Sequence, residues 1–160
     1  MKKSGQPAQT GFSLYDYLSS LLYDLDGVKQ SPKYHPEGDA LFHSLQVFQL
    51  AREASDDPIL WAAALFHDVG KAVDSKHHAR IGGEMLSGVL NPQVTWLVEH
   101  HLDLMHSPRK TRKKYGAQPR FAQLQKLRRF DVNGRDPAAQ VISVAAAIES
   151  LQLHHDLISA

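Results

Sequence analysis

The side chains able to do metal or acid–base chemistry fall in an ordered series: His43, the pair His67-Asp68, His78, His101 and Asp131. His67-Asp68 ends the most apolar stretch of the chain, where two adjacent ionisable groups are costly to bury unless paired or metal-bound. Neutral imidazole and carboxylate are both good ligands for a divalent first-row metal, and the negative end of a helix favours a cation beside it. His43 falls on one helical face with Val47 and Leu50. His101 shares a face with Val94, Leu97 and Val98, while His100 points about 100° away. His78 opens a helix beside His77, and Asp131 closes a helix that carries Leu124, Leu127 and Phe130. A lone histidine on an apolar face is usually a satisfied core residue. Six ligand-type groups, each at a helix end or inner face, instead point to a metal centre. Of the ten histidines, His106, His154 and His155 read as structural or surface residues.

The elements that must position these groups read as helix after helix. Leu14, Tyr17, Leu18, Leu21 and Leu22 keep the i, i+3, i+4 spacing of an amphipathic helix over 13–25. Residues 31–38 are Pro/Gly-rich loop, and 39–53 form a helix with Asp39 as its N-cap. Asp57-Pro58 is a cap followed by proline at the first helical position. Residues 59–66 are apolar all round, which predicts a buried central helix with Gly70 as its C-terminal stop. A helix over 78–90 follows. Asn91-Pro92 opens another to about 106, residues 107–117 are basic and irregular or weakly helical, and 119–130 are helical. Asp136-Pro137 repeats the cap-proline signal and predicts a long alanine-rich helix to about 157. No strand-type alternation persists for five residues. The expectation is an all-α fold, with residues 1–160 as one domain.

Composition narrows the function. The chain has no cysteine, which excludes a disulfide scaffold, a thiolate zinc site and a cysteine nucleophile. Its longest apolar run, 59–66, is far too short to span a bilayer. The basic residues 1–7 lead into no apolar stretch, so no secretory leader is expected and the cytoplasm is the expected compartment. Residues 107–135 hold ten of the 18 Lys and Arg but one of the 17 acids, Asp131, and such an imbalance suits an anionic partner. With Tyr115 and Phe121 interleaved there, the segment lacks the aromatic density of a nucleic-acid stacking platform.

The segment Ala63-Ala64-Leu65-Phe66-His67-Asp68-Val69-Gly70-Lys71 resembles the A-A-L-x-H-D-x-G-K signature of the HD-domain superfamily of metal-dependent phosphohydrolases. His35-Pro36-Glu37-Gly38-Asp39, followed by His43, is similar to the entry of the HD domain in bacterial tRNA nucleotidyltransferases (CCA-adding enzymes). Their H-x-x-x-G and D-x-x-G-R elements resemble His78 to Gly82 and Asp131 to Arg135. The resemblance covers about residues 34–150. It departs at Ala79, where the branch usually has Glu, and no nucleotidyltransferase head domain is visible.

The resemblance implies an all-α five-helix core and a phosphohydrolase of phosphodiesterase or nucleotidase type. Its substrate would be a phosphomonoester or cyclic phosphodiester of a nucleotide. The other anionic partner it implies is an RNA end met through the basic segment 107–135. It implies one or two divalent transition metals (Mn, Fe, Ni, Co or Zn in preference to Mg). His43, His67 and Asp131 would hold one, His78 and His101 the other, with Asp68 bridging. A hydroxide between two metals is a nucleophile at neutral pH. Asp68 and Lys71 are the implied catalytic residues, and Lys71 and Arg135 the phosphate contacts. Two other readings share the ligand set: a diiron oxygenase like the myo-inositol oxygenase family, and a non-catalytic metal-binding regulatory module. The sequence assigns no general acid and no oligomeric state.

Overall fold

Five of the described helices begin where a side chain satisfies their first free N–H groups. Ser13 and Asp16 exchange hydrogen bonds of 3.1 Å and open α1 (Leu14–Tyr23). Asp39 accepts from the Phe42 N–H at 2.9 Å at the head of α2 (Ala40–Ala54). Asp57 accepts from the N–H groups of Ile59 and Leu60, ahead of α3 (Pro58–Phe66). A 3₁₀ turn at Val69–Ala72 leads to α4 (His78–Leu86). Asn91 caps α5 (Pro92–His100) through the Gln93 N–H. The short α6 (Asp103–His106), α7 (Pro108–Tyr115), α8 (Pro119–Asn133), α9 (Val144–Gln152) and α10 (His155–Ile158) complete the order. This computed structural model describes residues 13–160; the basic stretch 1–7, read above for a leader, lies outside them. Among the described residues there is no strand, one isolated bridge joining Leu90 and Ser159, and no helix long and apolar enough to cross a membrane. The fold is all-α.

The centre of the fold is α3. Leu60 and every residue from Ala62 to Phe66 are fully buried, and the helix packs against α2, α5, α8, α9 and α10. Burial of each large side chain among them contributes about 1.5–3 kcal/mol. Its three alanines keep neighbouring helices close, so the chain leaving α3 is delivered into the interior with His67 and Asp68 attached.

Several boundaries differ from the sequence-based expectation: the helix opened at Asn91 ends at His100 with α6 separate from it, and the last long helix ends at Gln152 ahead of α10. Asp136-Pro137 opens no helix; α9 starts at Val144, capped by Ser143. The Asp136 carboxylate accepts from the Ala138 N–H at 2.9 Å, a local turn. Two glutamine side chains of α2 then hold the segment away from helix. Gln46 pairs with both backbone groups of Asp136, at 3.0 and 2.8 Å. Gln49 accepts from the Ile142 N–H and donates to the Gln140 carbonyl. The basic stretch after Ser107 is a regular helix, α7, anchored by buried Thr111 and Tyr115. α4 stops at Leu86 ahead of Gly88, whose φ of 75° no helix accepts. Gly70 does not stop α3, which ends at Phe66. A Cβ at Gly70 would lie 2.1 Å from the His78 carbonyl oxygen, so glycine is there to let the 3₁₀ turn meet the start of α4.

Candidate metal centre

Five helices each bring one or two groups to one point. His43 lies in the first turn of α2, His67 caps the C-terminus of α3 with Asp68 after it, His78 opens α4, His101 caps α5, and Asp131 lies near the end of α8. All six are buried, His43 and His67 completely. Asp68 lies between two sets. Its Oδ2 is 3.8 Å from His43 Nε2 and 3.3 Å from His67 Nε2. Its Oδ1 is 3.1 Å from His78 Nε2 and 3.5 Å from His101 Nε2. Asp131 Oδ1 joins the first set, 2.9 Å from His43 Nε2 and 3.5 Å from His67 Nε2. His101 faces this cluster, whereas His100 stacks on Trp96 with ring centroids 4.4 Å apart and pairs with Asp103.

The backbone decides which nitrogen of each ring can bind. Nδ1 of His67, His78 and His101 lies 2.7–2.8 Å from the carbonyls of Ala64, Ser75 and Val98, and Nδ1 of His43 lies 2.8 Å from that of Gly134. A carbonyl only accepts, so each Nδ1 carries the hydrogen and each neutral ring turns the Nε2 lone pair inward. His78 Nε2 and His101 Nε2 then face each other at 3.2 Å, two lone pairs aimed at one point. His67 Nε2 is buried with no hydrogen-bond partner among the described residues. Four lone pairs and two carboxylates at this spacing call for a cation. The triads His43–His67–Asp131 and His67–Asp68–His101 each have ligand atoms close enough to hold a metal ion.

Electrostatics agree. Burial pushes the His67 imidazole down, but the Asp68 and Asp131 carboxylates outweigh it and hold it up to about 10. Burial raises the Asp68 and Asp131 carboxyls, yet the surrounding histidines, with Lys71 beside Asp68, hold both well below the usual carboxylate range. A positive charge belongs among these groups, whether proton or metal.

The cluster floors a cleft of about 710 Å³. Lys71 lines it from the 3₁₀ turn, its Nζ 3.2 Å from Asp68 Oδ2 and bonded to Gln30 Oε1. Arg135 lines it from the chain after α8, but its Nε is committed to the Asp131 carbonyl at 3.2 Å. A Cβ at Gly134 would lie 2.7 Å from Val47 Cγ2, so only glycine lets the Gly134 carbonyl reach His43. His106 is exposed, as expected, and also lines the cleft.

Sequence reasoning gave Glu37, Gln30 and Arg128 no role. Glu37 is buried, and its Oε2 lies 2.8 Å from His35 Nδ1 and 3.0 Å from His43 Nδ1. Burial would raise Glu37, but hydrogen bonds from His43 and His35 hold it below its ordinary value. These three residues have metal-like spacing, yet His35 is hydrogen-bonded to Glu37 and the His43 Nδ1–H is bonded to the Gly134 carbonyl, so the Glu37 carboxylate serves as a nearby charge that supports His43. The signal for Glu37 lay in the His35–Asp39 motif.

The HD domain family model matches residues 41–151. The chain is 43% identical over 53 residues to the multifunctional CCA protein of Nitrosococcus oceani, covering 33% of this chain and 13% of that protein. It is 51% identical over 47 residues to the multifunctional CCA protein of Thioalkalivibrio sulfidiphilus (29% and 12%). The protein of that name from Methylococcus capsulatus is 40% identical over 65 residues (36% and 15%). The matched stretch thus spans 12–15% of these relatives' length.

Proposed function

The chain belongs to the HD domain family, and on that premise we propose that it is a metal-dependent phosphohydrolase acting, as one domain, on a phosphomonoester or cyclic phosphodiester of a nucleotide. The observation that carries this reading is the convergence of four inward Nε2 lone pairs on Asp68 and Asp131 at the floor of a cleft walled by Lys71, Arg128 and Arg135. Bound there, divalent transition metals supply Lewis acidity and an activated water. His43, His67 and Asp131 would hold one and His78 and His101 the other, with Asp68 offering one oxygen to each set. Lys71 and Arg135 bring positive charge to the phosphate in a site from which much water is excluded, where such charge acts most strongly. An RNA-borne phosphate is the larger substrate this surface supports, because Lys110 and Lys114 line a groove beside the cleft that shares His106 with it.

The test is aerobic purification, metal analysis and assay of a generic phosphodiester with added metals. Hydrolysis stimulated by Mn, Ni or Co supports the reading. Bound iron with oxygen-dependent colour and no hydrolysis would replace it with a diiron oxygenase. Full metal occupancy with neither activity would leave a regulatory module.

A further inference from the structure

Two donors at the cleft have no acceptor. The Gln30 amide has a fixed orientation: the Lys71 ammonium can only donate, so Gln30 Oε1 faces it. Gln30 Nε2 is thereby turned away from Lys71, and it is buried with no hydrogen-bond partner among the described residues. Arg128 Nη1 is likewise buried and unpartnered, 3.8 Å from Asp131 Oδ2 and beyond hydrogen-bond reach. Both side chains line the cleft that holds Asp68 and Asp131. They reach the cluster from opposite carboxylates, Gln30 through Lys71 and Asp68, Arg128 beside Asp131. Buried donors are nearly always paired, and a tetrahedral anion seated over the two carboxylates offers the missing acceptors.

We propose that Gln30 and Arg128 grip the non-reacting oxygens of the substrate phosphate, with Gln30 also steadying Lys71 for the same anion. This rests on the phosphohydrolase reading and assigns its phosphate subsite. Arg128 is the better-placed of the two cleft arginines, since Arg135 Nε is spent on the Asp131 carbonyl. Gln30 lies outside the stretch that matches the family model, so it contributes a grip from beyond the helical core.

The experiment titrates inorganic phosphate into the manganese-loaded protein by calorimetry, with metal content measured on each sample. Gln30→Glu keeps the oxygen that holds Lys71 and replaces the free donor by an acceptor. Arg128→Lys keeps the charge and removes the planar fork. Each should weaken phosphate binding by at least about tenfold, the worth of a hydrogen bond to a charged group, with manganese content unchanged. Arg112→Ala, on the exposed face of α7, should leave it within about twofold. Phosphate affinity within twofold of wild type in both cleft variants overturns this inference alone. Loss of manganese together with phosphate also overturns it, by making the two residues supports of the metal centre. Failure of the manganese-loaded wild type to bind phosphate overturns the phosphohydrolase reading beneath it.

Discussion

At the floor of the cleft Asp68 and Asp131 are 2% and 5% exposed and are surrounded by four buried imidazoles. On α7, by contrast, Arg109, Lys110, Arg112, Lys113 and Lys114 all stand exposed. The first set is held by backbone carbonyls, by Glu37 and by close helix contacts. The second is held loosely, with Arg112 over the Phe121 ring at 5.2 Å and Lys114 over Tyr115 at 5.3 Å. Buried groups interact strongly and cannot relax into water, whereas exposed charges are screened over about 8 Å at physiological salt. A change at the floor should therefore cost kilocalories, and the same change on α7 only tenths. Each experiment below sharpens or breaks that contrast.

The largest effect is expected from the ligands themselves. His67→Ala and Asp68→Ala should each abolish bound metal and lower hydrolysis by at least about 10³-fold, since both the activated water and its orientation are lost. Circular dichroism should still report a helical protein. Wild-type metal stoichiometry in either variant would refute the placement of the centre.

Removing the metal should expose a pH dependence that the metal conceals. A folded-state pKa raised to about 10 for His67 gives stability that is fully present below its ordinary value near 6.5. That stability is lost as pH rises through about 10. The depressed Asp68 and Asp131 act the other way: their contribution is present above the ordinary carboxylate range and lost as pH falls. In a chelator the protein should be most stable between about pH 5 and 7 and lose on the order of 2–4 kcal/mol toward pH 10. Manganese should flatten the alkaline arm, because it takes the place of the proton. Thermal melts across pH with and without metal measure this, and identical curves would show that no cation is needed there.

Next in size is the backbone contact that seats His78. Gly70→Ala pushes a methyl against the His78 carbonyl, which lies 2.1 Å from the Cβ position. The overpacking should cost about 1–3 kcal/mol, read as a fall in Tm, and displace His78, read as weaker metal binding. A variant with unchanged Tm would mean the 3₁₀ turn yields easily.

What the sequence disclosed follows the same divide. Helix type, the buried α3 and the cap-proline starts at Asp57 and Asn91 were legible because period and capping are local. The six cluster residues stood out because each interrupts an apolar face or ends a helix. Asp136-Pro137 carried the same local signal as Asp57-Pro58, yet Gln46, 90 residues away in the chain, bonds the Asp136 backbone, and Gln49 bonds that of Gln140 and Ile142, which keeps the segment out of helix. Gln30 lies in a loop without period, and Arg128 looks like any other base in a basic run. Their meaning is a missing hydrogen bond, which only the folded chain reveals.

The smallest effect is expected from neutralising Arg112, Lys113 and Lys114 together. None lines the main cleft, although Lys114 lines the groove beside it. At physiological salt a charge acts over a Debye length of about 8 Å, so these three act weakly on a phosphate at the metals. For a small cyclic phosphodiester kcat/KM should stay within about threefold, in keeping with roughly 0–1 kcal/mol for exposed charges. An RNA-borne phosphate should differ, because a chain extending over α7 would release counterions from several basic contacts. For that substrate the triple variant should raise KM and flatten the salt dependence while kcat holds. Equal losses on both substrates would place α7 in the construction of the site and erase the contrast between buried and open charge. No loss on either would make the basic helix a solvated face alone.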